Sequence, residues 1–232
     1  FIWVARIAKM KGIDIFLEAA ERVKTKYPQT EFRVLGFIEE DYKEKMREYE
    51  NRKIIDYRGM QQDVRPDLEE SQCLILPSEA EGMSNACLEA AACGRALITT
   101  DVPGCRECVA DGITGYLIQP GSVEDLTEKI EKFICLPYNE RKHMGEMGRE
   151  KMEQEFSRET VVDAYMQEIK YYFRHLWILS IIYIFNIFIV FYSDTNHCRR
   201  LSCRLLWEML YNDKCDSGRM HHDSGMDALY WE

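Results

Sequence analysis

Two carboxylates at the junction of a predicted strand and a predicted helix are the residues of this 232-residue chain best placed to do chemistry. Glu81 and Glu89, with seven residues between them, stand in the stretch PSEAEGMSNACLE, which begins at Pro77. A short apolar run at 73–76 precedes this stretch, and small residues typical of a helix follow. Backbone N–H groups at a helix start, together with the helix dipole, bind anions such as phosphate. The pattern predicts a phosphate cradle with a hydroxyl-binding acid on each side.

The residues between the two acids support this interpretation. Gly82 follows Glu81 directly, and Ser84 and Asn85 are both of types preferred at helix N-caps. Glu89 lies one to two turns into the predicted helix, too deep to act as a cap. We therefore expect its carboxylate to accept hydrogen bonds from the hydroxyl groups of a sugar or ribose. The alternative is that both acids are simply exposed residues near a helix end.

Strands and helices alternate along the part of the chain that must position these acids. Apolar runs that predict strands lie at 1–5, 32–35, 54–57, 73–76, 96–100 and 116–118. Helices are predicted at 13–27, 39–49, 63–70, 84–93, 122–135 and 138–173, the last with a break near 156. This alternation predicts an α/β fold with a Rossmann-like parallel sheet and helices on both faces.

Several residues that could bind a ligand or take part in a reaction lie shortly after the ends of predicted strands. Arg6, Gly36, Gly59 and Glu81 each do so, and Lys11 stands a few residues after Arg6. Ligands of parallel sheets bind beyond the carboxyl ends of the strands. We therefore expect these residues to gather along one edge of the sheet and to form a single site.

Composition narrows the class of protein. The net charge is −10, and no basic run or basic–aromatic stripe occurs in the first 170 residues, which argues against nucleic acid as a partner. Nine scattered cysteines indicate a reducing, cytoplasmic compartment. The chain opens with Phe-Ile-Trp-Val inside a predicted strand, so we expect it to be a fragment that lacks an N-terminal part.

Several motifs in a fixed order resemble a known family. Residues 1 to about 172 resemble the C-terminal, donor-binding half of family 4 retaining glycosyltransferases, which have the GT-B fold. The matching segments are VARIAKMKGIDIFLEA, FRVLGF, IDYRGM, LPSEAEGMSNACLEAAACGRALITTDVPGCRECV and DGITGYLIQPG, followed by the trailing helices. Two glutamates at this spacing would be weak evidence for the family by themselves, whereas several motifs in the same order are specific evidence.

The resemblance implies roles for individual residues. Arg6 and Lys11 match the residues that grip the diphosphate of the donor. Two cations there offset the negative charge that grows on the leaving group, without a metal ion. Glu81 is placed beside the transferred sugar, and Glu89 is expected to accept hydrogen bonds from the ribose.

The resemblance also implies a set of donor-binding positions. In the loop before the predicted helix these are Gly82, Met83, Ser84 and Asn85. Gly36 and the turn that contains Gly59 and Met60 would border the nucleobase. The alternative for the two glycines is that they only close turns.

The implied reaction is transfer of a sugar from a nucleotide-sugar, UDP-linked, to a glycan or lipid-linked acceptor hydroxyl in polysaccharide biosynthesis. The configuration is retained, and neither cofactor nor metal is expected. The family's acceptor-binding domain precedes the matched region, so we expect this chain to bind nucleotide without efficient turnover. One alternative is an enzyme like UDP-N-acetylglucosamine 2-epimerase. The other is a non-catalytic, nucleotide-sugar-binding remnant.

The composition changes after residue 173. The segment 176–192 holds seventeen residues without a charge, and this length is the lower limit for a helix that spans a bilayer. Aromatic and basic residues flank the segment, as they do at membrane interfaces. It is interpreted as a membrane anchor, a buried helix or an aberrant extension. The predicted domains are a nucleotide-sugar-binding domain at 1–173, a hydrophobic helix at 174–193 and an irregular tail at 194–232.

Two cysteine patterns suggest other chemistry. Cys105 and Cys108 have the spacing of a redox motif, but buried or idle thiols are the favoured interpretation. The tail holds further possible zinc ligands at spacings that match no standard site. These are Cys198, Cys203, Cys215, His197, His221 and His222.

Overall fold

Six parallel strands form a single sheet in the computed structural model, which describes residues 1–191, with side chains described as far as 184. The strands are β1 Ile2–Val4, β2 Arg33–Leu35, β3 Asp56–Gly59, β4 Cys73–Leu76, β5 Ala96–Thr100 and β6 Gly115–Ile118. Every pair of neighbouring strands is parallel. The predicted parallel sheet is therefore confirmed.

Seven α-helices and three 3₁₀ turns occur in the described part of the chain. The helices are α1 Ile13–Lys26, α2 Lys43–Asn51, α3 Arg65–Glu70, α4 Asn85–Ala92, α5 Val123–Cys135, α6 Tyr138–Glu155 and α7 Arg158–Phe191. The 3₁₀ turns are Lys9–Lys11, Glu40–Tyr42 and Arg106–Cys108.

The strand order β3-β2-β1-β4-β5-β6 makes the sheet doubly wound. From β1 the chain moves outward to β2 and β3, and from β4 it moves the opposite way to β5 and β6. Because parallel crossovers are right-handed, these opposite directions place α1 and α4 on opposite faces of the sheet. β1 and β4 are neighbours at the point where the direction reverses, which is where ligands of such sheets bind.

Large apolar side chains fill the core on the α1 face. The Trp3 and Phe16 rings lie 5.1 Å apart, and the Phe16 and Phe32 rings 5.9 Å apart, and all three side chains are buried. On this face α1 packs against α5, whereas α4 packs against α6. β4 and β5 are buried on both faces, which explains why they are continuous apolar or small-residue runs rather than alternating ones.

The third strand differs from its prediction at 54–57. β3 occupies Asp56–Gly59, because Ile54 is still tied to the end of α2 by a hydrogen bond from its N–H to the Tyr49 carbonyl. Pairing with β2 then sets Arg33 opposite Asp56. Gly59 is consequently the last residue of the strand rather than part of the turn that follows it.

The long helix α7 corrects the prediction of a separate hydrophobic helix at 174–193. The break near 156 is confirmed, since α6 ends at Glu155 and α7 begins at Arg158. From there the helix continues to Phe191, because no glycine or proline interrupts it. No helix in the described residues is both long and apolar enough to span a bilayer, so the predicted membrane anchor is not supported. The predicted tail at 194–232 lies outside those residues.

The chain divides into two compact units, residues 1–163 and 164–232. The first contains the whole sheet and helices α1 to α6. The predicted domain boundary at 173 stays a prediction.

A close approach between α6 and the turn after α4 holds one side of the sheet domain together. A Cβ atom added to Gly145 would lie 2.0 Å from the Gly94 carbonyl oxygen. Gly148, one turn further along α6, is also buried, but an added Cβ would lie 3.8 Å from its nearest neighbour. Only Gly145 therefore requires the absence of a side chain.

We predict that Gly145→Ala lowers the free energy of unfolding by about 2–3 kcal/mol, because the methyl group forces α6 away from a backbone atom. Gly148→Ala is the matched control, and we expect it to be neutral or to stabilise by about 0.5–1 kcal/mol through helix propensity. Urea unfolding of both variants measures the difference. Equal effects would contradict this account of the α4–α6 packing.

Candidate functional site

The turns that follow β1 and β4 interlock at the point where the strand order reverses. Gly12 has a left-handed φ of 74°, and a Cβ atom there would lie 1.9 Å from the Pro77 carbonyl oxygen. The N–H of Glu79 donates a hydrogen bond of 2.9 Å to the Met10 carbonyl. The two turns are thereby fixed against each other, and residues that stand far apart in sequence face one another.

An ion pair connects the two turns. Lys11 Nζ lies 2.7 Å from Glu81 Oε1, and their side chains are 23% and 11% exposed. The Ser78 hydroxyl donates a second hydrogen bond, of 2.8 Å, to the same carboxylate oxygen. Ser78 is itself fully buried. The Glu81 carboxylate is therefore held in one orientation by partners from both turns.

The turn that follows β5 supports the Glu81 loop from the other side. Gly104 has a φ of 84°, and an added Cβ would lie 2.6 Å from the Glu81 carbonyl oxygen. The Gly104 carbonyl accepts a hydrogen bond of 2.8 Å from the Ser84 N–H, and its own N–H donates to Glu107 Oε2 at 2.7 Å. The position of Glu81 thus depends on a glycine in the neighbouring turn.

The helix α4 begins beside this loop, as the sequence predicts. Ser84 is the N-cap, and its Oγ accepts a hydrogen bond of 3.4 Å from the Cys87 N–H. Asn85 is the first helical residue, and Glu89 is exposed one turn later. The first N–H groups of a helix have no partner within it, so they can bind an anion. The strand–turn–helix geometry is confirmed, and anion binding stays a prediction.

The second predicted cation has a different partner. The Arg6 guanidinium lies 3.2 Å from the Glu39 carboxylate, and both side chains are well exposed. Arg6 follows β1 and Glu39 follows β2, so this pair lies at the same edge of the sheet. The structure brings Lys11, rather than Arg6, into contact with Glu81.

The turns after β2 and β3 meet at the same edge. The Gly36 N–H donates to the Gly59 carbonyl at 2.9 Å, and the Tyr57 hydroxyl donates to the Gly36 carbonyl at 2.8 Å. Met60, directly after β3, is largely exposed. Gly36 stands in the turn after β2 and Gly59 ends β3, and contact of either with a nucleobase stays a prediction.

The sequence did not single out two residues of this edge. Ser78 and Tyr57 both fix site turns through side-chain hydrogen bonds. Ser78 stands three residues before Glu81, but a serine at that distance is common in any turn, so the spacing alone carried no signal.

The cysteines behind the loop are structural. Cys105, Cys108 and Cys87 are buried, and the six cysteines of the described residues are free thiols. A hydrogen bond with the Cys87 thiol, together with burial, raises the pKa of Cys105, which keeps it as the unreactive thiol. The hydrogen bond with Cys87 lowers the pKa of Cys108, but both thiols are buried, and this burial favours the idle-thiol interpretation over the redox one.

A metal site receives no support from the part of the chain that the structure describes. Residues 1–191 contain no group of three or more His, Cys, Asp or Glu side chains arranged to hold an ion. The cysteines and histidines at 197–222, which suggested zinc, lie outside those residues.

The fold and the site together define a class of protein. A doubly wound parallel sheet with an amine, a carboxylate and a capped helix at its switch point is the arrangement of α/β domains that bind phosphorylated ligands. The family profile described as "Glycosyl transferases group 1" matches residues 1–151. The chain belongs to this family, and this membership favours the glycosyltransferase interpretation over the epimerase one.

One curated relative illustrates how much of such a protein is present. The chain is 31% identical over 133 residues to the N,N'-diacetylbacillosaminyl-diphospho-undecaprenol alpha-1,3-N-acetylgalactosaminyltransferase of Campylobacter jejuni. The match covers 57% of this chain and 35% of that enzyme. The chain thus spans about a third of the length of this relative.

Solved structures share the fold. Anabaena HepE, crystallised in complex with UDP, superposes with a TM-score of 0.66 at 19% identity, over 73% of this chain and 48% of that one. The C-terminal domain of the Francisella tularensis glycosyl transferase group 1 protein LpcC gives a TM-score of 0.61 at 25% identity. That match covers 68% of this chain and 86% of the LpcC domain, so the described sheet domain corresponds in extent to a C-terminal domain.

We predict that Lys11 and Glu81 are energetically coupled by about 1–3 kcal/mol in a double-mutant cycle of Lys11→Met and Glu81→Gln, because the pair is largely desolvated. Urea unfolding of the two single variants and the double variant measures the coupling. The exposed pair Lys142–Glu146 serves as the control, and its coupling should be close to zero because solvent screens it. A Lys11–Glu81 coupling no larger than that of the control would show that the contact does not hold the site together.

Proposed function

We propose that this chain is the donor-binding half of a retaining glycosyltransferase. The enzyme transfers a sugar from a UDP-sugar to a hydroxyl group of a glycan or lipid-linked acceptor in polysaccharide biosynthesis. The observation that carries the proposal is the 2.7 Å contact between Lys11 and Glu81 at the switch point of the sheet, beside the capped start of α4.

The chemistry of a nucleotide-sugar fits this pair. In such a donor one phosphate oxygen is bonded to the anomeric carbon of the sugar. A group that binds the phosphates and a group that binds the sugar must therefore lie within a few ångströms of each other. Lys11 supplies an ammonium for the diphosphate, and Glu81 supplies a carboxylate for the sugar hydroxyls.

Charge development explains why cations are needed. When the bond between the anomeric carbon and the phosphate oxygen breaks, negative charge grows on the departing diphosphate. Lys11 and the N-terminus of α4 stabilise this charge without a metal ion. Arg6 adds a second cation after a change of partner, which costs little because its pair with Glu39 is exposed.

The remaining positions at this edge complete the donor site. Glu89 accepts hydrogen bonds from the ribose, and the loop before α4 contributes backbone and side-chain groups next to the sugar and phosphates. That loop consists of Gly82, Met83, Ser84 and Asn85. The neighbouring turns with Gly36, Gly59 and Met60 border the uracil, since they meet two strands away from the phosphate site.

Two similar proteins support the proposed classes of donor and acceptor. HepE, which shares the fold, is crystallised with UDP. The Campylobacter jejuni relative is named for a diphospho-undecaprenol acceptor, which is lipid-linked. Because this chain spans about a third of that relative, we expect residues outside the matched region to supply the acceptor site, and this chain alone to bind nucleotide without efficient turnover.

We predict that Lys11→Ala weakens UDP binding by roughly 10- to 100-fold and uridine binding by less than about 2-fold, because it removes a charge-assisted hydrogen bond to phosphate alone. Isothermal titration calorimetry with UDP, GDP, ADP and uridine measures these affinities. UDP should bind most tightly of the three diphosphates.

The matched control is Lys24→Ala. It removes the same charge near the end of α1. Lys24 lines a cavity with Arg33 and Asp56, which stand at the starts of β2 and β3. The control therefore lies at the edge of the sheet opposite to the proposed site. UDP affinity should not change. Equal losses of affinity for UDP and uridine in Lys11→Ala would show that Lys11 does not bind the phosphates. A preference for GDP or ADP would show that the donor is not UDP-linked.

We predict that Gly104→Ala weakens UDP binding by at least about tenfold, because the new methyl group displaces the Glu81 carbonyl and shifts the donor loop. Gly112→Ala controls for backbone strain, since Gly112 also has a left-handed φ, of 74°, but an added Cβ meets nothing within 4 Å. Thermal unfolding should show a larger loss of stability in Gly104→Ala, because that variant adds a clash with the Glu81 carbonyl to the backbone strain that both variants share. Unchanged UDP affinity in Gly104→Ala would argue against the loop as part of the donor site.

A further inference from the structure

Phe37 is the one exposed aromatic residue among residues 1–137. It is 61% exposed and directly follows Gly36, in the turn after β2. A single exposed apolar side chain needs no explanation by itself. This ring, however, lies at the edge of the sheet that carries Lys11 and Glu81, so its surroundings decide what it does.

Backbone pairing holds Phe37 in place. The Ile7 N–H donates a hydrogen bond of 2.8 Å to the Phe37 carbonyl, and the Ile7 carbonyl accepts one of 3.3 Å from the Glu39 N–H. Ile38 pairs with Ile7 in a parallel bridge and packs against the core. Because side chains of an extended segment alternate in direction, the Phe37 ring faces away from the core.

The same pairing sets the ring beside a cation. The register of β1 and β2 continues beyond the strands through the bridge between Ile7 and Ile38. Arg6, one residue before Ile7, therefore stands opposite Phe37, and neighbouring strands lie about 4.8 Å apart. Both residues are exposed, and the guanidinium pairs with the exposed Glu39 carboxylate. The ring and the cation thus share one side of this edge.

The turn after β3 borders the ring on its other side. The hydrogen bond of 2.9 Å from the Gly36 N–H to the Gly59 carbonyl joins the two turns. The next residues along each turn are Phe37 and Met60, and Met60 is 76% exposed. The edge therefore presents a flat ring with an apolar side chain in the neighbouring turn.

The strand order arranges these groups in the same sequence as the parts of a nucleotide-sugar. Phe37 follows β2, Arg6 and Lys11 follow β1, and Glu81 follows β4, and these three strands are neighbours in that order. Two strand spacings, roughly 10 Å, separate the first from the last. In a nucleotide-sugar the diphosphate likewise lies between the nucleoside and the sugar. If the cations hold the phosphates and Glu81 the sugar, the base falls at Phe37.

We propose that the base of the donor stacks on the Phe37 ring. The inference rests on the proposed function and names the side chain that binds the nucleoside end of the donor. A base and an aromatic side chain stack through their π-faces, and this contact tolerates any base. Phe37 therefore contributes affinity for the nucleoside, whereas Lys11 contributes affinity for the phosphates.

Isothermal titration calorimetry of the full chain tests the proposal. Phe37→Ala should weaken UDP and uridine binding by the same factor, roughly 5- to 150-fold, because both ligands carry the base. The affinity for inorganic pyrophosphate should not change. Since Phe37 is exposed, thermal unfolding of the variant should match that of the wild type.

Two further substitutions distinguish stacking from apolar contact. Phe37→Leu keeps an apolar side chain but removes the flat ring, so it should lose affinity for UDP and uridine as Phe37→Ala does. Phe37→Trp should retain both affinities. The introduced indole should also lose fluorescence, relative to the wild type, when UDP binds and not when pyrophosphate binds. Full affinity in Phe37→Leu would overturn stacking.

The matched control is Tyr138→Ala, which removes a ring of the same exposure, 60%, from the start of α6. Its UDP affinity should be that of the wild type. Unchanged UDP and uridine affinities in Phe37→Ala, beside a wild type that binds both, would overturn this inference and leave the proposed function standing. A wild type that binds neither would overturn both. A pyrophosphate loss in Phe37→Ala as large as the UDP loss would show a general disturbance of the site and would also overturn the stacking role.

Discussion

The close approach of two turns at the switch point is the constraint on which the site depends. Gly12 has no side chain, so the turn after β1 can rest on the Pro77 carbonyl after β4. That contact brings Lys11 within 2.7 Å of Glu81, a residue seventy positions further along the chain. A methyl group at position 12 would separate the turns, and the ion pair with them. The opposite charges then lack the partners that make their partial burial tolerable.

Close contacts between turns at glycine positions continue along the edge of the sheet. Gly104 lets the β5 turn support the Glu81 loop, and Gly36 meets Gly59 between the β2 and β3 turns. Five successive strand ends are thereby connected into one continuous rim. A long ligand with phosphate in its middle and polar groups at both ends matches such a rim better than a compact one does. The nucleotide-sugar that we propose as the donor has that shape.

Much of the fold could be predicted because its strands are short apolar runs between strong breaks. β4 and β5 begin and end at the predicted residues, and Ser122 caps α5 as expected. β3 was predicted two residues too early because local apolarity favoured Ile54, whereas pairing with β2 decided the register. The segment after 173 was predicted to be a separate helix because its composition changes, yet backbone hydrogen bonding continues α7 without regard to that change.

The sequence by itself determined the α/β alternation, the capped start of α4 and the set of residues that follow strand ends, because these depend on local periodicity and residue type. Only the tertiary structure decided which of those residues meet. It pairs Lys11 with Glu81 and Arg6 with Glu39, and it adds Ser78 as a third partner of the carboxylate. The physical reason is that strand order and the approach of turns through glycine are non-local, so no spacing along the chain encodes those distances.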